Sequence, residues 1–150
     1  MADICVGMIM GSKSDEETMR KGGEVLDQLG IGYEMVVSSA HRNPDRTAEW
    51  AKGAAGRGLQ VLIAGAGLAA ALPGVVAAHT TLPVIGVPIA SGPLNGVDAL
   101  YAIVQMPPGV VVATVGIDNA RNAAILAAQI LALSDGKIAA AIEQYRQQWN

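Results

Sequence analysis

The chain predicts a parallel, doubly wound α/β sheet, and three observations carry that expectation. Short apolar runs alternate with helical segments from one end to the other. The runs are continuous rather than alternating, as strands covered on both faces must be. No linker, internal repeat or low-complexity segment divides the 150 residues, so residues 1–150 are expected to form a single domain.

Ile4-Cys5-Val6-Gly7-Met8-Ile9-Met10 is the first predicted strand. Asp15 to Leu29 follows as a helix. Met19, Gly22, Leu26 and Leu29 share one face, and Gly30 suits the position just past the end. The acids Asp15, Glu16 and Glu17 open this helix, where its dipole favours them. Tyr33 to Val37 is the second strand. Pro44 fits the first turn of a helix running to about Arg57.

Val61-Leu62-Ile63-Ala64 is the third strand, followed by a Gly/Ala-rich turn and a small-residue helix to about His79. Val84-Ile85-Gly86-Val87 is the fourth strand and Val110 to Val115 the fifth. Asn119 to Leu133 is a helix that is almost wholly apolar from Ala123 onward, Gln129 excepted. Apolarity on every side exceeds what one sheet face demands, so this helix is the expected subunit interface. Lys137 to Trp149 is a more polar terminal helix.

Apolar residues make up 51% of the chain and charged ones 15%, with a mean hydropathy of +0.36. Large aromatics do not supply this: there is no Phe, two Trp and three Tyr, beside 18 Gly. So small a chain has limited volume in which to bury the excess, which predicts a homo-oligomer. The net charge of −3 and the lack of a basic patch argue against nucleic acid as a partner. No run approaches the roughly 18 unbroken apolar residues of a membrane helix. No basic stretch precedes an apolar segment at the N-terminus, so no secretory signal is visible. The single Cys5 reads as a small buried hydrophobe. It has no partner for an intrachain disulfide, which fits a reducing, cytoplasmic setting.

Two polar clusters stand at strand-to-helix junctions, where open α/β sheets bind ligands. Ser39-Ala40-His41-Arg42 holds one of the chain's two histidines. Histidine gives and takes the same proton near neutral pH, and arginine pairs with phosphate through a planar fork. Gly11-Ser12-Lys13-Ser14-Asp15 offers hydroxyls and backbone N–H groups at a helix start, a ready anion site. Helix capping by Ser14 or Asp15 would explain one such residue, but less well the whole cluster. Together the clusters suggest chemistry on a small phosphorylated substrate. His79 closes an Ala/Val helix, where a cation is expected, and reads as structural.

Other chemistries lack their residues. Gly65-Ala66-Gly67-Leu68-Ala69-Ala70 matches the glycine pattern of dinucleotide sites, but it follows the third strand rather than the first. The acid expected about 20 residues on is missing, since no Asp or Glu occurs between Glu49 and Asp98. Tight helix–strand packing and close approach of a ligand to backbone N–H groups both remain open for this turn. The Ser12 cluster lacks Walker spacing, and no G-x-S-x-G elbow occurs. One Cys and two His cannot assemble a zinc cluster. A receiver-type aspartate would end the third strand, where Ala64-Gly65 stand instead.

Gly11-Ser12-Lys13-Ser14-Asp15, Ser39-Ala40-His41-Arg42, Ala64-Gly65-Ala66-Gly67 and Val104-Gln105-Met106-Pro107 occur in this order. With these motifs the sequence closely resembles the N5-carboxyaminoimidazole ribonucleotide mutase family of bacterial purine biosynthesis, over essentially its whole length. The resemblance implies a flavodoxin-like three-layer α/β/α sandwich, a homo-octamer and a ribonucleotide substrate. It implies conversion of N5-carboxyaminoimidazole ribonucleotide to 4-carboxy-5-aminoimidazole ribonucleotide, without metal or organic cofactor. Carried over by position, His41 matches the catalytic histidine, and Ser12, Asp15 and Arg42 match contacts to the ribose phosphate. Gly11, Ser14, Ser39, Ala40 and the turn from Gly65 to Leu72, with Gly67, Leu68, Ala71 and Leu72 in it, match the remaining pocket wall. Ala69-Ala70-Ala71-Leu72-Pro73 is suited to an apolar, water-excluding lining.

One position departs from the pattern. Many relatives carry a second histidine where this chain has Ala71, and the animal-type relative that carboxylates aminoimidazole ribonucleotide directly with CO2 also lacks it. Arg42 after His41 matches the mutase type, whereas the carboxylase type tends to have lysine there. Mutase is therefore the first expectation and direct carboxylase the second. A non-catalytic phosphometabolite-binding or flavin-binding module on the same fold is a third, although a flavin wants stacking aromatics and this chain has few.

Overall fold

The structure is a computed structural model that describes residues 3–150. Five parallel strands form one sheet in the order β2-β1-β3-β4-β5. They are β1 (Ile4–Met10), β2 (Gly32–Val37), β3 (Val61–Gly67), β4 (Val84–Ile89) and β5 (Ala113–Thr114). The helices are α1 (Glu16–Gln28), α2 (Pro44–Gly53), α3 (Leu72–Ala78), α4 (Val97–Val104), α5 (Ala120–Ala132) and α6 (Gly136–Arg146). This is the flavodoxin-like order, whose chain reverses direction across the sheet between β1 and β3.

Successive strand residues face opposite sides, and two cores result. Val6, Met8, Met10, Val61, Ile63, Ile85 and Val87 meet α1, α5 and α6 on one face. Ile9, Leu62, Ala64, Ala66 and Val84 meet α2, α3 and α4 on the other. Glycine sets the spacing of the second layer. A Cβ on Gly86 would come within 2.8 Å of Val112 Cγ1, and one on Gly7 within 2.9 Å of Trp50 Cζ2. Trp50 is fixed from outside, its indole N–H donating to Glu34 Oε2 at 2.7 Å.

The fifth strand is shorter than expected and one helix was not anticipated. The helix read as a subunit interface buries one face in its own chain. Ala120, Ala123, Ala124, Ala127 and Ala128 of α5 are at most 1% exposed, packed among β3, β4, α1 and α6. Alanine lets three neighbours approach at once on that face, while Arg121, Asn122 and Gln129 are exposed on the other. The fifth strand, expected over Val110 to Val115, is confined to Ala113–Thr114, which pair with Ile85 and Gly86. It lies at the sheet edge. Val110 N instead closes a turn onto Pro107 O at 3.3 Å, and Val111 is 73% exposed. Helix α4 was not anticipated. It starts after two left-handed residues, Asn95 and Gly96, and ends before Pro107-Pro108.

The junction of α1 with α5 makes a stability prediction. A Cβ on Gly22 would sit 2.7 Å from the backbone oxygen of Ala120. Gly22→Ala is expected to force the helices apart and to cost about 1–3 kcal/mol in urea denaturation, against the usual preference of a helix for alanine.

Candidate active site

Four loops leave the carboxyl ends of β2, β1, β3 and β4 and enclose a cleft of about 350 Å³. It stands at the switch point of the sheet, where such folds bind ligands. Twelve of the predicted site residues line it: Gly11, Ser12, Ser14 and Asp15 after β1; Ser39, Ala40, His41 and Arg42 after β2; Gly67, Leu68, Ala71 and Leu72 after β3. Ala66, Ala69, Ala70 and Ser91 complete the wall. Gly65 and Pro73, placed in the wall by the sequence, are not part of it. Gly65 faces the opposite core, with its Cβ space filled by Met19, and Pro73 is buried under Gly86. Met106 of the Val104–Pro107 motif packs near Gly74 rather than in the cleft.

The loop after β1 is a short helical turn. Ser12 Oγ accepts from Ser14 N at 3.3 Å and lies 2.9 Å from Ser14 Oγ, and Asp15 N donates to Ser12 O at 3.0 Å. Ser12 is therefore the cap. Asp15 makes no capping bond, yet it is 8% exposed. Burial pushes its carboxyl above the ordinary aspartate range. A hydrogen bond from the Ser12 backbone opposes this, and the charge of Asp118 adds to it. An acid held at such a cost, without a capping role, is a candidate ligand-binding carboxylate.

The loop after β2 is pinned from beneath. Thr47 Oγ1 donates to Ser39 O at 3.2 Å, so its hydroxyl accepts from Ser38 Oγ at 2.7 Å in a buried relay. Ser39 Oγ accepts from Arg42 N at 3.1 Å, and Ser39 O also accepts from Asn43 N at 2.8 Å. This frame presents His41 and Arg42, both exposed, at the rim. The opposite wall is apolar and strained. Leu68 and Ala70 hold φ of +52° and +44°, left-handed values that side chains resist. His79 caps the end of α3 and takes no part in the cleft.

A larger hollow of about 580 Å³ lies between α1, the start of α5 and the end of α6. It contains no histidine and sits away from the strand ends, so it offers none of this chemistry. Among the described residues, no group of three His, Cys, Asp or Glu side chains is gathered to hold a metal ion. Nor is any helix there long and apolar enough to cross a membrane.

Residues 5–150 match the AIR carboxylase family. The chain belongs to that family. The N5-carboxyaminoimidazole ribonucleotide mutase of Thermotoga maritima is 56% identical over 142 residues, which span 95% of this chain and 83% of that protein. The phosphoribosylaminoimidazole carboxylase of Schizosaccharomyces pombe is 55% identical over 140 residues, 93% of this chain but 25% of that longer protein. A crystal structure of Treponema denticola PurE superposes with a TM-score of 0.86 at 32% identity, covering 96% of this chain and 90% of that one. The family and the three-layer sandwich expected from the motifs both hold.

Ser91 is the lining residue that no motif indicated. It follows β4 without any recognisable pattern, and only the strand order brings it beside Gly67.

The buried Asp15 predicts a pH effect. With its folded pKa raised, its contribution to stability is fully present below the unfolded aspartate value and is lost as pH rises through the folded one. Asp15→Asn should therefore unfold at a higher urea concentration than wild type at pH 7. That gap should narrow as pH falls through the aspartate range.

Proposed function

We propose that this chain converts N5-carboxyaminoimidazole ribonucleotide to 4-carboxy-5-aminoimidazole ribonucleotide, a step of purine nucleotide synthesis, with His41 as acid and base. One observation carries the reading. A histidine–arginine pair stands across a cleft from a tight apolar turn, in a chain 56% identical to a protein named for this reaction. Arg42, Ser12 and Asp15 hold the ribose phosphate: the guanidinium takes the phosphate, and the buried carboxylate accepts from a ribose hydroxyl. Gly11, Ser14, Ser39 and Ala40 complete that side. Gly67, Leu68, Ala71 and Leu72 line the side where CO2 is held.

The reaction moves a carboxylate from nitrogen to a ring carbon. As the N–CO2 bond breaks, its electron pair stays on nitrogen, and His41 donates a proton there. The ring carbon then attacks the freed CO2. Neutral His41 takes the hydrogen from that carbon, the ring regains aromaticity, and the histidine returns to its protonated state. Proton transfer of this kind is worth roughly 10²–10⁴-fold. Confinement of CO2 beside the ring carbon supplies the remainder as effective concentration. No metal or organic cofactor enters this scheme.

Direct carboxylation of aminoimidazole ribonucleotide by CO2 is the second reading, which Ala71 in place of a second histidine leaves open. The two are separated by supplying the N5-carboxy substrate in CO2-depleted buffer with a trap for free CO2. Fast product formation that resists trapping supports the mutase. Absence of product from intact substrate and folded protein overturns it. Turnover of either kind rejects a purely binding module. His41→Asn is expected to lower kcat by about 10²-fold or more while leaving the thermal unfolding curve in place.

The working form in this reading is a cytoplasmic homo-oligomer, the octamer that the resemblance implies. Leu94, Val97, Tyr101, Val104 and Val111 expose between 43% and 73% of their surface on and around α4. Sedimentation of the purified chain should show the assembly, and Tyr101→Glu should shift it to smaller species.

A further inference from the structure

Ser91 owes its position to a residue 27 places further along the chain. Asp118 lies in the loop between β5 and α5. Its backbone N–H donates to Pro88 O at 2.7 Å, and its Oδ1 accepts from Ala90 N at 2.9 Å. The two bonds bracket Ile89 and fasten the end of β4 where the chain leaves the sheet. Asp118 makes them with φ at +60°, a left-handed conformation that Asp and Asn tolerate best after glycine.

The neighbours leave no slack. A Cβ on Gly96 would lie 2.6 Å from Ile117 Cγ2 and 3.2 Å from Ala90 Cα, so the Asp118 loop, Ala90 and the start of α4 are pressed together. A Cβ on Gly67 would lie 2.7 Å from Ser91 Cβ. Ser91 is thus wedged against the residue that opens the strained turn Leu68–Ala71. A shift of Ala90 moves Ser91, and Ser91 meets the cleft wall directly.

We propose that Asp118 is a positioning residue for this cleft, latching Ala90 so that the Ser91 hydroxyl meets the substrate. The proposal rests on the functional reading above. Three variants of the full-length protein test it by kcat and KM on the N5-carboxy substrate. Asp118→Gly keeps the left-handed backbone and deletes the acceptor. Asp118→Asn keeps both backbone and acceptor. Ser91→Ala removes the positioned hydroxyl.

Loss of a hydrogen bond to a charged substrate should lower kcat/KM about tenfold or more in Asp118→Gly and in Ser91→Ala. Asp118→Asn should stay within about twofold of wild type. The double variant, Asp118→Gly with Ser91→Ala, should be no slower than Ser91→Ala by more than about twofold, since both changes act through one hydroxyl. Wild-type rates in Asp118→Gly, an Asn variant as slow as the Gly variant, or losses that multiply in the double variant would each overturn the latch. If the wild-type protein itself gave no turnover, the functional reading would fall first, which keeps the two failures distinct.

Discussion

The near-absence of side chains at the end of β3 is the constraint on which the molecule depends. Ala64-Gly65-Ala66-Gly67 run along the central strand between β1 and β4. The Cβ space of Gly65 is occupied by Met19, which draws α1 onto the sheet. The space beside Gly67 is taken by Ser91, which draws in the loop after β4. Any larger residue at either place would push one of these elements away. Close-packed interiors do not absorb such a displacement locally. The cleft is narrow because the strand beneath it is thin.

That packing also accounts for the strained turn. Leu68 and Ala70 in left-handed conformations cost about 1–3 kcal/mol each. Ala70 and Leu72 are buried at 4% and 2% exposure in the core shared by β3, α2 and α3, and Ala70 N bonds back to Gly67 O at 3.0 Å. These anchors hold the turn in place. Between them, Leu68 and Ala69 are left exposed at the cleft. The strain therefore has a geometric product: an apolar ledge facing His41 and Arg42, set on a buried base.

Most of this architecture was legible because strands buried on both faces announce themselves as continuous apolar runs, and because the first helix shows a face. The failures have physical causes. Helix α4 is only eight residues long and carries one charged residue, Asp98, and an apolar run so short cannot be told from a strand by its pattern. The valines before Ala113 favour a strand by propensity, but an edge position gives them a partner on one side only. In α5 the sequence shows a run that is apolar from Ala123 apart from Gln129, but not what covers it. At the site, residues adjacent to strand ends could be placed by motif. Ser91 and Asp118 could not, because their roles arise from strand order and from two hydrogen bonds made across β4.

Ala71, where the resemblance implies a second histidine in many relatives, matters through proton balance. In the mutase cycle the proton given to nitrogen is recovered from the ring carbon, so the net change is zero and one histidine ends as it began. Direct carboxylation adds CO2 and expels the ring hydrogen, so the histidine finishes each turnover carrying a proton that must leave before the next. His41, exposed at the rim, could unload to water in that case. The mutase cycle needs no such step. Under the proposed mechanism, a cleft with one proton carrier, framed by Ser39 and backed by an apolar wall, therefore suffices for the mutase reaction. For carboxylation it requires bulk water as a further participant.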